Sequence, residues 1–143
     1  MTVDQISVFI ENKPGTLAEL TGIVGDAGID LRALSLADTA DFGVLRLIVD
    51  DPDKALELLR KAGFAVSITR VLAVPITDSP GGLAKVLRIL ADEGVSVEYS
   101  YAFITRKQGK AYVILRVENN ELALGILTRK GIITAADENI FER

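Results

Sequence analysis

The chain has no cysteine and no histidine among its 143 residues. Their absence removes disulfides, thiolate chemistry, zinc sites of the usual kind and histidine acid–base catalysis. No apolar run approaches the roughly 20 residues of a membrane span. The N-terminus, Met1-Thr2-Val3-Asp4-Gln5, lacks the basic and apolar regions of a signal peptide. A cytoplasmic protein without membrane association is expected. Basic residues are in deficit, 16 against 20 acidic for a net charge of −4, which disfavours nucleic acid and anionic membranes as partners. No paired constellation of carboxylates or lysines is visible either. The expectation is no catalytic residue, no metal, no cofactor and no enzyme activity.

What is present is a repeat. Apolar residues make up 49% of the chain and charged residues 25%, so the chain is globular rather than disordered. Ile10-Glu11-Asn12-Lys13-Pro14-Gly15-Thr16-Leu17 returns as Ile76-Thr77-Asp78-Ser79-Pro80-Gly81-Gly82-Leu83, an offset of 66 from Pro14 to Pro80. Val8 matches Val74, Ala18 matches Ala84, Gly28 matches Gly94 and Gly43 matches Gly109 at the same offset. Beyond this the offset is 68: Ala55 pairs with Ala123, Leu59 with Leu127 and Gly63 with Gly131. A two-residue insertion near a hairpin is what a duplicated fold tolerates best. Two modules are expected, 1–70 and 71–143, each near the lower size limit for a good core. No Gly/Ser/Pro-rich linker separates them: Phe64 to Ile76 is almost continuously strand-like.

Ile6, Val8 and Ile10 alternate with Ser7, Phe9 and Glu11, a period of two that predicts a strand. Leu17, Leu20, Val24 and Ala27 fall on one helical stripe, Thr16 and Glu19 have capping-box spacing, and Gly28 suits the helix stop. Leu31 to Ala37 and Val44 to Val49 are two strands around the turn Asp38-Thr39-Ala40-Asp41. Asp51 with Pro52 opens a second helix with Ala55, Leu58, Leu59 and Ala62 as its buried stripe. Val66 to Thr69 is a fourth strand. The second module repeats the order, with strands at Val71 to Ile76, Val97 to Ile104 and Ala111 to Val117, and helices around Leu83–Leu90 and Asn120–Lys130. Its last strand is reduced to Ile132, Ile133 and Thr134, followed by a short capped turn, Thr134-Ala135-Ala136-Asp137, with Ile140 and Phe141 as a docking pair. The fold class is α+β: two ferredoxin-like βαββαβ repeats, each with an antiparallel sheet and its helices on one face. Topology of this kind leaves function open.

A βαββαβ unit with Asn12-x-Pro14-Gly15-x-Leu17 at the first strand-to-helix turn resembles the ACT domain, and Asp78-x-Pro80-Gly81-x-Leu83 is the same motif in its acidic variant. Gly28-Ile29-Asp30 and Gly94-Val95-Ser96 also look like that family. The resemblance covers the chain twice and implies a tandem ACT protein with no appended enzyme. It further implies a regulatory module that binds an amino acid at domain or subunit interfaces, through the strand-to-helix turn and strand two of a neighbour, and that acts on a separate enzyme or transporter.

The turn has a physical case of its own. A helix N-terminus offers unpaired N–H donors and partial positive charge to a carboxylate. Gly15, Gly81 and Gly82 let a ligand approach the backbone, and Pro14 and Pro80 stiffen the entry. Asn12 can accept from an ammonium and donate to a carboxylate, Thr16 completes the turn, and ionised Asp78 only accepts. Asp30 and Ser96, at equivalent starts of strand two, add polar contacts. The structural alternative is that Pro-Gly turns connect strands to helices without any ligand, and that Thr16 and Glu19 are simply a cap.

Val97, Tyr99, Tyr101 and Phe103 share a face by period two, and are expected under the helices as core; on the open face they would form an interface or an aromatic ligand wall. An apolar pocket would favour a branched or aromatic amino acid. Gly22 and Gly25 inside the first helix suggest close helix–helix contact, in the chain or across a dimer. Arg106, Lys107 and Lys110 are expected on an exposed hairpin tip. Exposed sheet edges and small modules favour a homodimer. An RNA-binding reading fails on charge and on the absence of aromatic residues in Val44 to Val49. The serious competitor is a non-catalytic scaffold or partner-binding subunit whose ligand sites have degenerated.

Overall fold

The computed structural model describes residues 1–38, 40–105, 109–137 and 140–141. Thr39, expected in a turn, and Arg106 and Lys107, expected on a hairpin tip, lie outside the described residues. The elements are β1 (Thr2–Glu11), α1 (Thr16–Asp26), β2 (Leu31–Asp38), β3 (Phe42–Val49), α2 (Pro52–Lys61), β4 (Ala65–Thr77), α3 (Gly82–Asp92), β5 (Val97–Phe103), β6 (Lys110–Val117), α4 (Asn120–Arg129) and a 3₁₀ turn at Ala135–Asp137. No helix among the described residues is long and apolar enough to cross a membrane. The chain is two ferredoxin-like repeats, and it divides into two compact units, Asp4–Arg70 and Met1–Val3 with Val71–Arg143.

In the unit Asp4–Arg70 the strands lie in the order β2-β3-β1-β4. Antiparallel pairing sets Val8 opposite Leu45 and Leu36 opposite Leu45 from the other side. The helix-facing side of the sheet carries Ile6, Val8, Ile10, Leu45, Leu47 and Val49, packed against Leu20 and Val24 of α1 and Ala55 and Leu59 of α2. Each such side chain contributes about 1.5–3 kcal/mol by leaving water. Asp51 caps α2 as its spacing predicts, its carboxylate accepting from the Lys54 N–H at 3.2 Å with Pro52 as the first helical residue.

In the other unit the order is β4-β6-β5, with Met1–Val3 beside β4: the Ala73 N–H donates to the Met1 carbonyl at 2.8 Å, and the Met1 ammonium donates back to the Ala73 carbonyl at 3.2 Å. Leu72, Val74, Val113, Leu115 and Val117 face Val86 and Leu90 of α3 and Ala123 and Leu127 of α4. The reduced last strand does not form: Ile132 and Ile133 are bends and Thr134 is irregular, and the two isoleucines pack on that core instead.

The aromatic stripe departs from its expected place. A bulge between Val97 and Tyr99 shifts the β5 register, so Val97 pairs with Val117 while Tyr99, Tyr101 and Phe103 pair with Arg116, Ile114 and Tyr112. Val97 therefore lies on the helix-facing side with the core, and the three aromatics lie on the other. A bulge adds one residue and so reverses the face of everything after it. Tyr99 and Tyr101 stack with centroids 6.5 Å apart, and Phe103 meets Tyr112 and Phe141 edge-on at 6.2 and 6.0 Å. Phe141, with buried Ile140, thus docks over that face.

A concave site repeated under each strand-to-helix turn

Both Pro-Gly turns do the same local work. Gly15 and Gly81 are the N-caps of α1 and α3, with φ of 89° and 84°, a left-handed conformation in which a Cβ is penalised. Neither helix has a side-chain cap. The capping box expected of Thr16 and Glu19 is therefore absent. Thr16 is the first helical residue, one position too late to cap, and its Oγ1 is buried without a hydrogen-bond partner among the described residues. An unmade bond at a buried hydroxyl costs about 1–3 kcal/mol.

Beneath each turn lies a cavity. The first, of about 350 Å³, has walls from Phe9, Ile10, Thr16, Glu19, Phe42 and the Gly63–Phe64 segment after α2. The second, of about 290 Å³, is walled by Pro75, Ile76, Gly82, Lys85, Lys110, Gly131, Ile132 and Asp137. These are equivalent positions: Phe9 and Pro75, Thr16 and Gly82, Glu19 and Lys85 are 66 apart, and Gly63 and Gly131 are 68 apart.

The two differ in chemistry. In the first, Phe9 and Phe42 stack with centroids 5.3 Å apart, and Glu11 pairs with Lys13 at 3.2 Å. In the second, the Asp137 carboxylate accepts from Lys110 Nζ at 2.8 Å, from the Tyr112 hydroxyl at 3.2 Å, and from the Thr134 N–H and Oγ1 at 3.0 and 2.8 Å. Burial opposes the Asp137 charge, but the Lys110 and Thr134 donors outweigh it and hold the carboxyl down at about 2. Burial first, then the facing carboxylate, pushes the Tyr112 phenol up to about 12. Lys110 is exposed, as expected of the hairpin, and its ammonium also pairs with this buried acid.

Of the predicted ligand residues, the structure brings Thr16 and Gly82 into cavity walls. Gly82 is there for a steric reason, since a Cβ would collide with the Thr77 carbonyl oxygen. Asn12, Pro14, Gly15, Asp78, Pro80 and Gly81 form the exposed outer side of the turns. The Asn12 amide donates to Asp38 Oδ2 at 3.2 Å. Asp30 and Ser96 stand elsewhere: the Asp30 N–H donates to Asp50 Oδ1 at 2.9 Å and its carboxylate lies 3.7 Å from Arg32, while Ser96 is exposed before β5. Sequence reasoning missed Phe9, Phe42, Lys85 and Asp137. The equivalence of Gly63 and Gly131 was the signal that the post-helix segment belongs to the site in both repeats.

The family model described as "ACT domain pair" matches residues 1–143. The chain is similar to protein BT0572 from Bacteroides thetaiotaomicron, with 43% identity over 92% of this chain and 90% of that chain and a TM-score of 0.86. It shares its fold with the ligand-free regulatory subunit of aspartate kinase from Thermus thermophilus, at 21% identity over 88% and 91% of the two chains and a TM-score of 0.67. The same holds for that subunit from Thermus flavus, at 20% identity, 88% and 90% coverage and a TM-score of 0.59. No curated protein matches the chain.

Proposed function

Since this chain belongs to the ACT domain pair family, we propose that it is an amino-acid-binding regulatory protein of the cytoplasm whose ligand is held at the strand-to-helix turns, at a subunit interface of a homodimer. The observation that carries the reading is the recurrence of a cavity at the same positions of both repeats, each under a glycine-capped helix N-terminus. Such an N-terminus supplies N–H donors for a carboxylate, and residues Asn12 to Thr16 and Asp78 to Gly82 build the entry. In this reading the modules are 1–70 and 71–143, Asp30 and Ser96 serve as contacts from a neighbouring subunit, and the regulated target is a separate enzyme or transporter. Support for a separate enzyme comes from the shared fold of aspartate kinase regulatory subunits.

Thermal unfolding in the presence of each proteinogenic amino acid tests this. A ligand at about 100 times its dissociation constant adds about 2.7 kcal/mol to a protein that binds it only when folded. A selective rise in Tm, lost in Gly15→Val, Gly81→Val or both, is expected. No rise with any amino acid would replace the sensor by the scaffold reading.

A further inference from the structure

Resting only on the part of that reading in which the target is a separate protein, we propose that the sheet face of the first repeat turned away from its helices docks that target. The occupant is a short segment that presents an aliphatic and an aromatic side chain and no acid. The second repeat shows the same face with a cover on it. Pro75, Tyr112 and Phe103 pair across β4, β6 and β5, so they form one row on the side away from the helices. All three are buried, Tyr112 to 1% exposure and Phe103 to 4%. Their cover is the segment after α4. Its Asp137 accepts from Lys110 and Tyr112, its Phe141 meets Phe103 edge-on at 6.0 Å, and its Ile140 is buried.

The first repeat has the row without the cover. Phe9, Val44 and Ala37 pair across β1, β3 and β2, and Phe9 and Ala37 stand 66 positions before Pro75 and Phe103. Phe9 is 55% exposed, and Phe42, stacked on it, is 45% exposed. Ala37 is exposed and Val44 half-buried. The cause is the chain path. After α2 the chain is drawn into β4 beside β1, whereas after α4 it makes no strand among the described residues and crosses the face. A groove of about 340 Å³ is left along the open row, between Phe9, Val44, Ala65 and Ser67.

Register also sets the chemistry of the occupant. Phe42 pairs with Glu11 as Lys110 pairs with Thr77, and Val44 pairs with Phe9 as Tyr112 pairs with Pro75. The two donors that hold Asp137 in the second repeat are thus a phenyl ring and an isopropyl group in the first. Arg46 lies one row further in, at the place of Ile114, on the other side of the row from the position that Asp137 takes. Size decides between a segment and a second copy. Rings of about 150–250 Å² each, at 55% and 45% exposure, leave the area of about one ring open. A stable interface takes about 800 Å² from each partner, so this face suits a few residues, as it does in the second repeat.

Amide NMR titration of the full chain with two synthetic peptides tests this: residues 134–143 as they stand, and the same peptide with Asp137→Leu. Concentrations reach about 5 mM, because so small a contact corresponds to about millimolar affinity. The leucine peptide is expected to bind about tenfold more tightly than the aspartate peptide, with shifts at Phe9, Phe42 and Val44. Val44→Asp abolishes this binding and leaves the Tm response to amino acids as in the parent, since Val44 lines neither turn cavity. Phe42→Lys with Val44→Tyr copies the donors of the second repeat and reverses the preference about tenfold, the worth of one charged hydrogen bond. No shift on this face with either peptide, a parental preference for the aspartate peptide, or a dimer that Val44→Asp splits in sedimentation overturns the docking assignment and leaves the amino-acid reading standing. Peptide binding as expected, with no Tm rise from any amino acid, supports the docking surface and removes the sensor.

Discussion

Asp137 shows how strongly surroundings can hold one side chain. Its carboxyl falls from 3.8 to about 2, so the charged form is favoured by folding. An acid depressed on folding contributes stability above its unfolded value, and the contribution is withdrawn as the pH drops toward its folded value. Asp137→Asn is therefore expected to lose about 2 kcal/mol at pH 7, with the gap to the parent closing between pH ~4 and pH ~2. Urea unfolding of both proteins across that range measures it, and a gap unchanged at pH 2.5 would show that shape, not charge, holds the turn. The glycines of the two turns separate in the same way. Gly82→Ala drives a methyl group into the Thr77 carbonyl oxygen and is expected to cost about 2 kcal/mol or more. Gly15→Ala meets nothing within 4 Å and carries only the left-handed penalty of about 1–2 kcal/mol. Denaturant midpoints that reversed this order would mean that the α3 turn yields more readily than its packing indicates.

The helices differ in how their first turns are satisfied, although the local sequences look alike. Asp51 makes its cap, and Asp51→Ala is expected to cost about 1 kcal/mol. Thr16 makes none, so Thr16→Val should leave stability unchanged or raise it by up to about 1 kcal/mol, since it replaces an orphan hydroxyl by a methyl of similar shape. Paired unfolding curves for these two variants check both statements. Gly22 and Gly25 of α1 were expected at a close helix crossing, yet a Cβ on either meets nothing within 4 Å in the chain. Gly22→Ala and Gly25→Ala should each add about 1 kcal/mol through helix propensity. A loss instead, steeper at high protein concentration, would place this face in a contact between copies. The strands repeat one device. A bulge between Leu31 and Ala33, and another between Val97 and Tyr99, turns the rest of each edge strand over, and this is why the aromatic stripe faces away from the helices.

For the molecule as a whole, the first three residues fold with the last seventy-three rather than with their own repeat. Their backbone pairs with Ala73, beside a repeat whose own final strand is missing. Deleting residues 1–3 should strip the Ala73 amide of its acceptor and speed its hydrogen exchange, with little change at Leu47 in the other unit; equal effects at both would contradict a local role. Much of this architecture was legible beforehand. The duplication, the element order, the Asp51 cap and the turn glycines rest on residues within about four positions of one another, where steric rules and hydrophobic period act directly. The cavities were half legible, through the paired positions Pro14 and Pro80, Gly63 and Gly131. Their chemistry was not. Asp137 meets Lys110 27 positions and Tyr112 25 positions away, and Phe9 stacks on Phe42 across two strands. A single inserted residue reversed the face of Tyr99, Tyr101 and Phe103. Such pairings depend on register and chain path, which leave no periodic trace in the sequence and arise only when distant segments pack.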